Sequence, residues 1–407
     1  MSWKIPAGNT NAMNALQIDD QTMRARALID QAAALAPSLD ERAAATEAAG
    51  QMLGETIDDL RSAGFTRLCQ PRKSGGAELP MDAAAEVIAA LAQGCGSTAW
   101  VASVFTDHSI LTGMFSAQTA EDIWGANPLA LISAGYHPTS MVERTEGGWR
   151  VSGKWEFVSG CDHADWFILG SFMPLEDGGQ EHAFFIVPRA DIAIEDNWQV
   201  LGMQGTGSKN ITVQSSIVPE HRMLTMAEAN AGAEGRARTG GEVETRPLYR
   251  LEHLPTVPFL FTATGLGIAE SLLARSIAHI AGAQSRGKAI AEYPTMQMHI
   301  AEAAAEIDAA RLLVMRDCRD AMDAMAEARP MTVMEQARAR RDHGYATRLC
   351  QNAVDRLFAA AGARGMFDSH FAQRKFRDMR AVSTHISQNW DRSGTAYGAA
   401  AFGLDTF

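Results

Sequence analysis

The sequence predicts an α+β protein with an N-terminal helical domain, a central antiparallel β domain and a C-terminal four-helix bundle. Three textures along the 407 residues predict this order. Over residues 18–115, Ala-rich stretches such as 83–93 repeat apolar side chains at three- and four-residue spacing, the pattern of a helix with one buried face. Pro71-Arg72-Lys73-Ser74-Gly75-Gly76 interrupts that series. Between residues 124 and 224, strand-like runs (149–151, 166–170, 183–187, 211–214) are separated by Gly, Pro, Asp and Asn, the spacing of a small barrel or sandwich. From 254 onward come four long amphipathic stretches, 262–284, 296–328, 333–361 and 369–388, whose short breaks suit an antiparallel bundle. The expected domains are residues 1–122, 123–226 and 227–407, the last opening with an Ala-, Gly- and Glu-rich mobile connection over 227–245.

Composition narrows the function. A net charge of −12 argues against nucleic acid and anionic membranes, which both need clustered basic surface. No apolar run approaches the ~18 residues of a membrane span, and residues 1–14 lack a secretory signal pattern. Cys69, Cys95, Cys161, Cys318 and Cys350 are widely spaced without a Cys-x-x-Cys pair, and read as reduced thiols packed as small hydrophobes in a cytoplasmic protein. Met296, Met298 and Met315 read as core filling.

Several common chemistries fail on local context. Gly205-Thr206-Gly207-Ser208-Lys209 looks like a phosphate loop but leads into a β-rich run where a helix is needed, and residues 282–288 lack the Ser or Thr that should follow the lysine. No Gly-x-Ser-x-Gly elbow, Glu-x-x-His pair or His-Glu-x-x-His motif occurs, so a hydrolase, a di-iron bundle and a zinc enzyme are disfavoured, and no metal is expected.

Three motifs, in order, carry a resemblance. Trp149-Arg150-Val151-Ser152-Gly153-Lys154 followed by Trp155-Glu156-Phe157-Val158-Ser159-Gly160, then Leu201-Gly202-Met203-Gln204-Gly205-Thr206-Gly207-Ser208, then Arg374-Lys375-Phe376-Arg377-Asp378-Met379-Arg380, resemble the acyl-CoA dehydrogenase superfamily across nearly the whole chain. Its fold is helical domain, β domain, four-helix bundle. Many dehydrogenases of that family place a catalytic glutamate where this chain has Ile386, and Ile386 cannot take a proton; Glu252 or Glu270 on earlier helices remain open as alternatives. The Trp-x-Phe-x-Ser-Gly pattern, His163, His385 before Trp390-Asp391, Asp107-His108 and Ile132-Ser133 instead resemble the two-component flavin-dependent aromatic monooxygenases, a group that includes 4-hydroxyphenylacetate 3-hydroxylase and hydroxysteroid-fragment and indole-type oxygenases.

That resemblance implies an oxygenase component using reduced FMN or FAD from a separate NAD(P)H:flavin reductase, with O2 as co-substrate and a C4a-hydroperoxide as the oxidant of a small aromatic compound. It implies a homotetramer assembled through the C-terminal bundle. An acyl-CoA dehydrogenase with bound FAD, or N- or S-oxygenation, are the alternatives. Ser159 is the expected hydroxyl near flavin N5, and His385 and His108 the expected imidazoles for a phenol proton. Ser133, His163 and Asp391 are expected on the substrate side; Phe157, Gly160, Thr206 and Ser208 against the flavin; Arg286, from a neighbouring subunit, on its phosphate. Each has a structural alternative: a strand serine bonded to backbone, a buried histidine on a carbonyl, a tight glycine turn, a solvated arginine.

Overall fold

The computed structural model describes residues 11–232, 246–285 and 287–404. Five helices open the chain: α1 (Asn11–Ala49), α2 (Gly54–Ala63), α3 (Met81–Gly94), α4 (Gly96–Thr112) and α5 (Ala117–Trp124). Every residue of α4 is buried, so this helix threads the centre of the molecule. Some of its polar side chains are satisfied within the helix: Thr106 and Ser109 donate to the Ala102 and Phe105 carbonyls at 2.7 Å each.

Among the described residues, eight strands form two four-stranded sheets, and a short antiparallel ribbon, Gln284–Ser285 with Lys288–Ala289, stands apart. One has the order β1 (Ile132–Gly135), β4 (Trp166–Pro174), β5 (Gln180–Pro188), β8 (Met223–Thr225); the other β2 (Glu143–Thr145), β3 (Gly148–Val158), β7 (Lys209–Val218), β6 (Ala193–Glu195). All pairings are antiparallel except β1 with β4, which is parallel and departs from the wholly antiparallel domain expected. In β4 and β5 the two-residue period divides the side chains between two cores. Phe167, Leu169, Phe185 and Val187 face the other sheet, whereas Ile168, Phe184 and Ile186 join the helical core. The first sheet is therefore buried on both faces, and its β1 end abuts α4.

After α6 (Met226–Asn230) come α7 (His253–Thr256), α8 (Pro258–Gly282), α9 (Pro294–Ala326), α10 (Val333–Ala360), α11 (Phe371–Thr384) and α12 (Trp390–Ala401). The connection expected over 227–245 begins instead inside α6, which Thr225 and Glu228 close with a reciprocal capping box; residues 233–245 lie outside the described residues. The stretch His253–Gly282 is long and apolar enough to cross a bilayer, contrary to the reading above, yet 72% of its most apolar window is buried in the protein as the central element of the bundle. Met315 is buried as expected, but Met298 is exposed. The last long helix does not run to 388. It stops at Thr384, His385 takes extended backbone (φ −63°, ψ 138°), and a 3₁₀ turn over Ile386–Gln388 precedes α12.

Two of the motifs meet in space. Asp378 Oδ1 accepts the Met203 N–H at 2.7 Å, and Gly202 packs so closely on α11 that a Cβ there would lie 2.1 Å from the Arg377 carbonyl oxygen. Only glycine permits that approach. The contact seats the β layer on the helices and encloses the space between them.

Candidate active site

A cavity of about 1620 Å³ lies between the ends of β1 and β3, the 198–208 loop and helices α4, α8, α10 and α11. Ligand pockets commonly span about 300–1,000 Å³, so this one has room for two occupants side by side.

At one end, β3 presents a serine to a chain of hydroxyls. The pairing of β3 with β7 shifts register between Trp155 and Val158, and Phe157 sits in the left-handed region at φ 58°. That bulge turns the Phe157 ring, 69% exposed, onto the cavity wall against Trp198 and aims the Ser159 side chain inward. Gly160 follows at φ 71°, where a Cβ would press on Phe105 and Val101. The Thr206 hydroxyl bonds to the Met203 carbonyl at 2.8 Å and to Ser208 Oγ at 2.7 Å; Ser208 Oγ bonds to Ser159 Oγ at 2.6 Å; and Trp100 donates its indole N–H to Ser159 Oγ at 3.2 Å. A carbonyl only accepts, so Thr206 spends its proton on Met203, Ser208 donates to Thr206 and Ser159 donates to Ser208. Ser159 therefore offers the cavity a lone pair, not a proton.

Two imidazoles line the same space with opposite polarity. His108 Nδ1 meets the Ile132 carbonyl at 2.8 Å and so carries the proton, which leaves Nε2 as an acceptor. His385 Nδ1 accepts the backbone N–H of Ser387 at 3.3 Å and meets Ser387 Oγ at 2.7 Å, so its proton lies on Nε2. Burial pushes both pKa values down to about 4, keeping both rings neutral near pH 7. His385 packs against Trp100 and Phe261, with ring centroids 5.2 and 5.1 Å away, and belongs to the Ser159 end. His108 belongs to the other end, where Tyr136 stands edge-on to it at 5.3 Å and to His253 at 5.2 Å, beside Phe184 and His182. The Tyr136 hydroxyl donates to buried Asp107 at 2.9 Å, and desolvation raises that carboxyl to about 7.

Of the expected residues, the fold gathers Ser159, His108, His385, Phe157, Thr206 and Ser208 around one cavity. Gly160 stands behind it, its N–H donated to the Thr206 carbonyl at 2.9 Å. Three expected substrate residues stand elsewhere. Ser133 is buried with its hydroxyl on the Ser159 carbonyl at 2.9 Å, so it braces the serine turn. His163 Nε2 meets the Met52 carbonyl at 2.9 Å and anchors the turn to the α1–α2 loop. Asp391 is exposed in the first turn of α12, beyond the cavity lining and without a hydrogen bond to His385. Arg286 lies outside the described residues. Arg340 and Arg392 line the cavity instead, and burial together with Arg392 lowers the Arg340 pKa. Trp100, Tyr136, His182 and His253 were not legible in sequence, because they come from separate elements with no local pattern.

Among the described residues the cavity lining holds no buried carboxylate to serve an acyl substrate. Glu270 pairs with Arg311, and Glu252 accepts the Met331 N–H; both lie outside the lining, where Ile386 stands.

Residues 259–390 match the family model described as acyl-CoA dehydrogenase, C-terminal domain. The chain is 34% identical over 390 residues to the oxygenase component of an FADH2-dependent resorcinol hydroxylase from Rhizobium sp. (strain MTP-10005), covering 93% of this chain and 94% of that protein. It is 32% identical to the HsaA oxygenase subunit of a flavin-dependent monooxygenase from Rhodococcus jostii (strain RHA1), covering 91% and 97%. Among solved structures, HsaA from M. tuberculosis superimposes with a TM-score of 0.87 at 32% identity, covering 94% of this chain and 98% of that one. XiaF from Streptomyces sp., in complex with FADH2 and glycerol, superimposes with a TM-score of 0.88 at 25% identity, covering 97% and 99%. The protein belongs to the acyl-CoA dehydrogenase superfamily, in its group of flavin-dependent monooxygenase oxygenase components.

Proposed function

We propose that this oxygenase hydroxylates a small electron-rich aromatic compound, of phenol or indole type, using O2 and reduced FMN or FAD supplied by a separate NAD(P)H:flavin reductase. The observation that carries the reading is the polarity of the hydroxyl chain. Ser159 can only accept from the cavity, which suits reduced flavin, whose N5 bears hydrogen, and mismatches oxidised flavin, whose N5 is itself an acceptor. When bound, reduced flavin supplies the activation of O2 to an electrophilic oxygen.

The other residues have complementary work. Ser159, backed by Ser208 and Thr206, would hold the N5 edge; Phe157 would cover the ring system; Arg340 and Arg392 would take the phosphate. His385 directs its N–H to the place where oxygen charge develops. His108 Nε2 accepts the hydroxyl of a phenol and draws electron density into the ring. Its pKa of about 4 means that it polarises that hydroxyl and does not store the proton. Phe261, Val257 and Phe184 keep water away.

A homotetramer and a cytoplasmic location belong to the same reading; exposed Leu312, Met366, Phe367 and Phe402 on the bundle and five buried free cysteines support them.

The test is to mix chemically reduced flavin with the purified protein, oxygen and candidate phenols or indoles. Hydroxylated product in excess of released peroxide is expected; peroxide alone with every substrate would overturn the reading.

A further inference from the structure

We propose that Gln388 is a positioning residue that locks His385 as an N–H donor toward the cavity. The inference rests on the function proposed above for what His385 then does, though the lock itself is a property of the flavin-free protein.

Gln388 lies at the end of the 3₁₀ turn after His385, buried to 2% exposure, with polar partners at both ends of its carboxamide. Its Oε1 receives the Thr347 and Thr262 hydroxyls at 2.6 and 2.9 Å. Its Nε2 donates to the Pro258 carbonyl at 3.1 Å and to Ser387 Oγ at 3.3 Å. The Pro258 carbonyl can only accept, so the amide cannot be reversed: the NH2 must face Pro258 and Ser387. Ser387 Oγ, already receiving one proton from Gln388, has its own hydrogen to give, and His385 Nδ1 stands 2.7 Å away. The backbone N–H of Ser387 points at the same nitrogen. Two donors converge on Nδ1, and the proton of a neutral ring is left on Nε2.

The far end of the chain has the same direction. His343 is fully buried, stacked on Phe259 at 4.2 Å between ring centroids, and its Nδ1 meets the Thr262 hydroxyl at 3.0 Å. The Thr262 hydroxyl has two acceptors for its single proton, the Pro258 carbonyl at 2.8 Å and Gln388 Oε1 at 2.9 Å; with the proton given to either, His343 must donate through Nδ1, and its Nε2 has no partner among the described residues. Donors thus run Thr347, Gln388, Ser387, His385, toward the cavity, with His343 and Thr262 set in the same sense behind them. The amide in the middle makes the chain rigid in sense: adding a proton to His385 Nδ1 would set it against the Ser387 hydroxyl, which could turn only by abandoning its place in the series. Helices α8, α10 and the α11–α12 break each contribute a link, so the tautomer is a product of tertiary packing.

The experiment is ¹⁵N NMR of histidine-labelled, flavin-free protein, with His385 assigned from the loss of its signals in His385→Gln. Wild type is expected to show His385 in the Nε2–H form. Gln388→Leu should lower the ratio of Nε2–H to Nδ1–H by roughly tenfold, the scale of one hydrogen bond, and raise the titration midpoint of the ring. Ser387→Ala is the second variant should Gln388→Leu not fold, since Ser387 is only half-buried; it should shift the ratio in the same direction, and Ser387→Thr should restore it. A wild-type His385 protonated on Nδ1, or an unchanged ratio in a folded Gln388→Leu or Ser387→Ala protein, overturns the lock. Either result leaves the oxygenase reading standing, because turnover with reduced flavin tests that separately.

Discussion

His108 and His385 face one cavity with their hydrogen-bonding sense reversed: the first gives its Nδ1–H to the Ile132 carbonyl at 2.8 Å, the second takes the Ser387 N–H on Nδ1 at 3.3 Å. One imidazole accepts where the substrate would lie and the other donates where oxygen would be activated. The two rings are chemically identical, so their backbone and hydroxyl partners make the difference.

This separation predicts distinct losses. His108→Phe should lower hydroxylation of phenols by about 10- to 100-fold while leaving reduced-flavin affinity within about twofold, the scale of one buried hydrogen bond to substrate. His385→Leu should instead raise the fraction of oxygen released as peroxide, with phenol affinity little changed. Rapid-quench product analysis and peroxide assays measure both; matching phenotypes in the two variants would contradict the division.

Ser159→Ala strands the Trp100 indole N–H and the last hydroxyl of the Ser208–Thr206 chain. A stability loss of about 1–3 kcal/mol is expected from those unpaired groups, and the preference for reduced over oxidised flavin should shrink by roughly tenfold. Urea titration and flavin-binding titrations in both redox states are the measurements. An unchanged redox preference would mean that the hydroxyl chain does not read N5.

Asp107 gives a pH signature. Burial holds its folded carboxyl at about 7, whereas an unfolded aspartate titrates near 3.9, so between about pH 4 and 7 the native state keeps a proton that the unfolded chain has released. Its contribution to stability therefore falls as pH rises through that window. Asp107→Asn removes the slope, and relative to wild type the variant should gain on the order of 2–4 kcal/mol on going from pH 4 to 7. Parallel denaturation curves across pH would refute this.

Gly202→Ala would set a methyl 2.1 Å from the Arg377 carbonyl oxygen. The loop must back away from α11 at a cost of about 1–3 kcal/mol. Because the same loop carries Met203 and Thr206, cavity function should fall along with the melting temperature.

Much of this architecture was readable in the chain. The runs at 149–151, 166–170, 183–187 and 211–214 lie within β3, β4, β5 and β7, because β-branched and aromatic residues bounded by Gly, Pro, Asp and Asn declare a strand. The parallel β1–β4 pair was not readable, since residues 132–135 carry no trace of their partner's direction. Nor was the break at His385: Ile386, Ser387 and Gln388 contain neither Gly nor Pro, and the interruption is set by bonds to α8 and α10. Ser133 shows the limit in another way. The motif puts it on the substrate side, but sequence does not reveal that its hydroxyl points at the Ser159 carbonyl and away from the cavity. Trp100 was hidden because α4 has no polar face against which an inward-facing functional ring would stand out, and Tyr136 because it follows β1 with no local pattern of its own.

The bulge in β3 has a cost that locates it among the demands on this protein. A phenylalanine at φ 58° is held against its own backbone preference by about 1–3 kcal/mol. Glycine at 157 would relax that torsion and toughen the fold, yet would strip an aromatic wall from the cavity. Backbone ease and the cavity's aromatic wall thus pull in opposite directions at a single residue, and the chain keeps the wall.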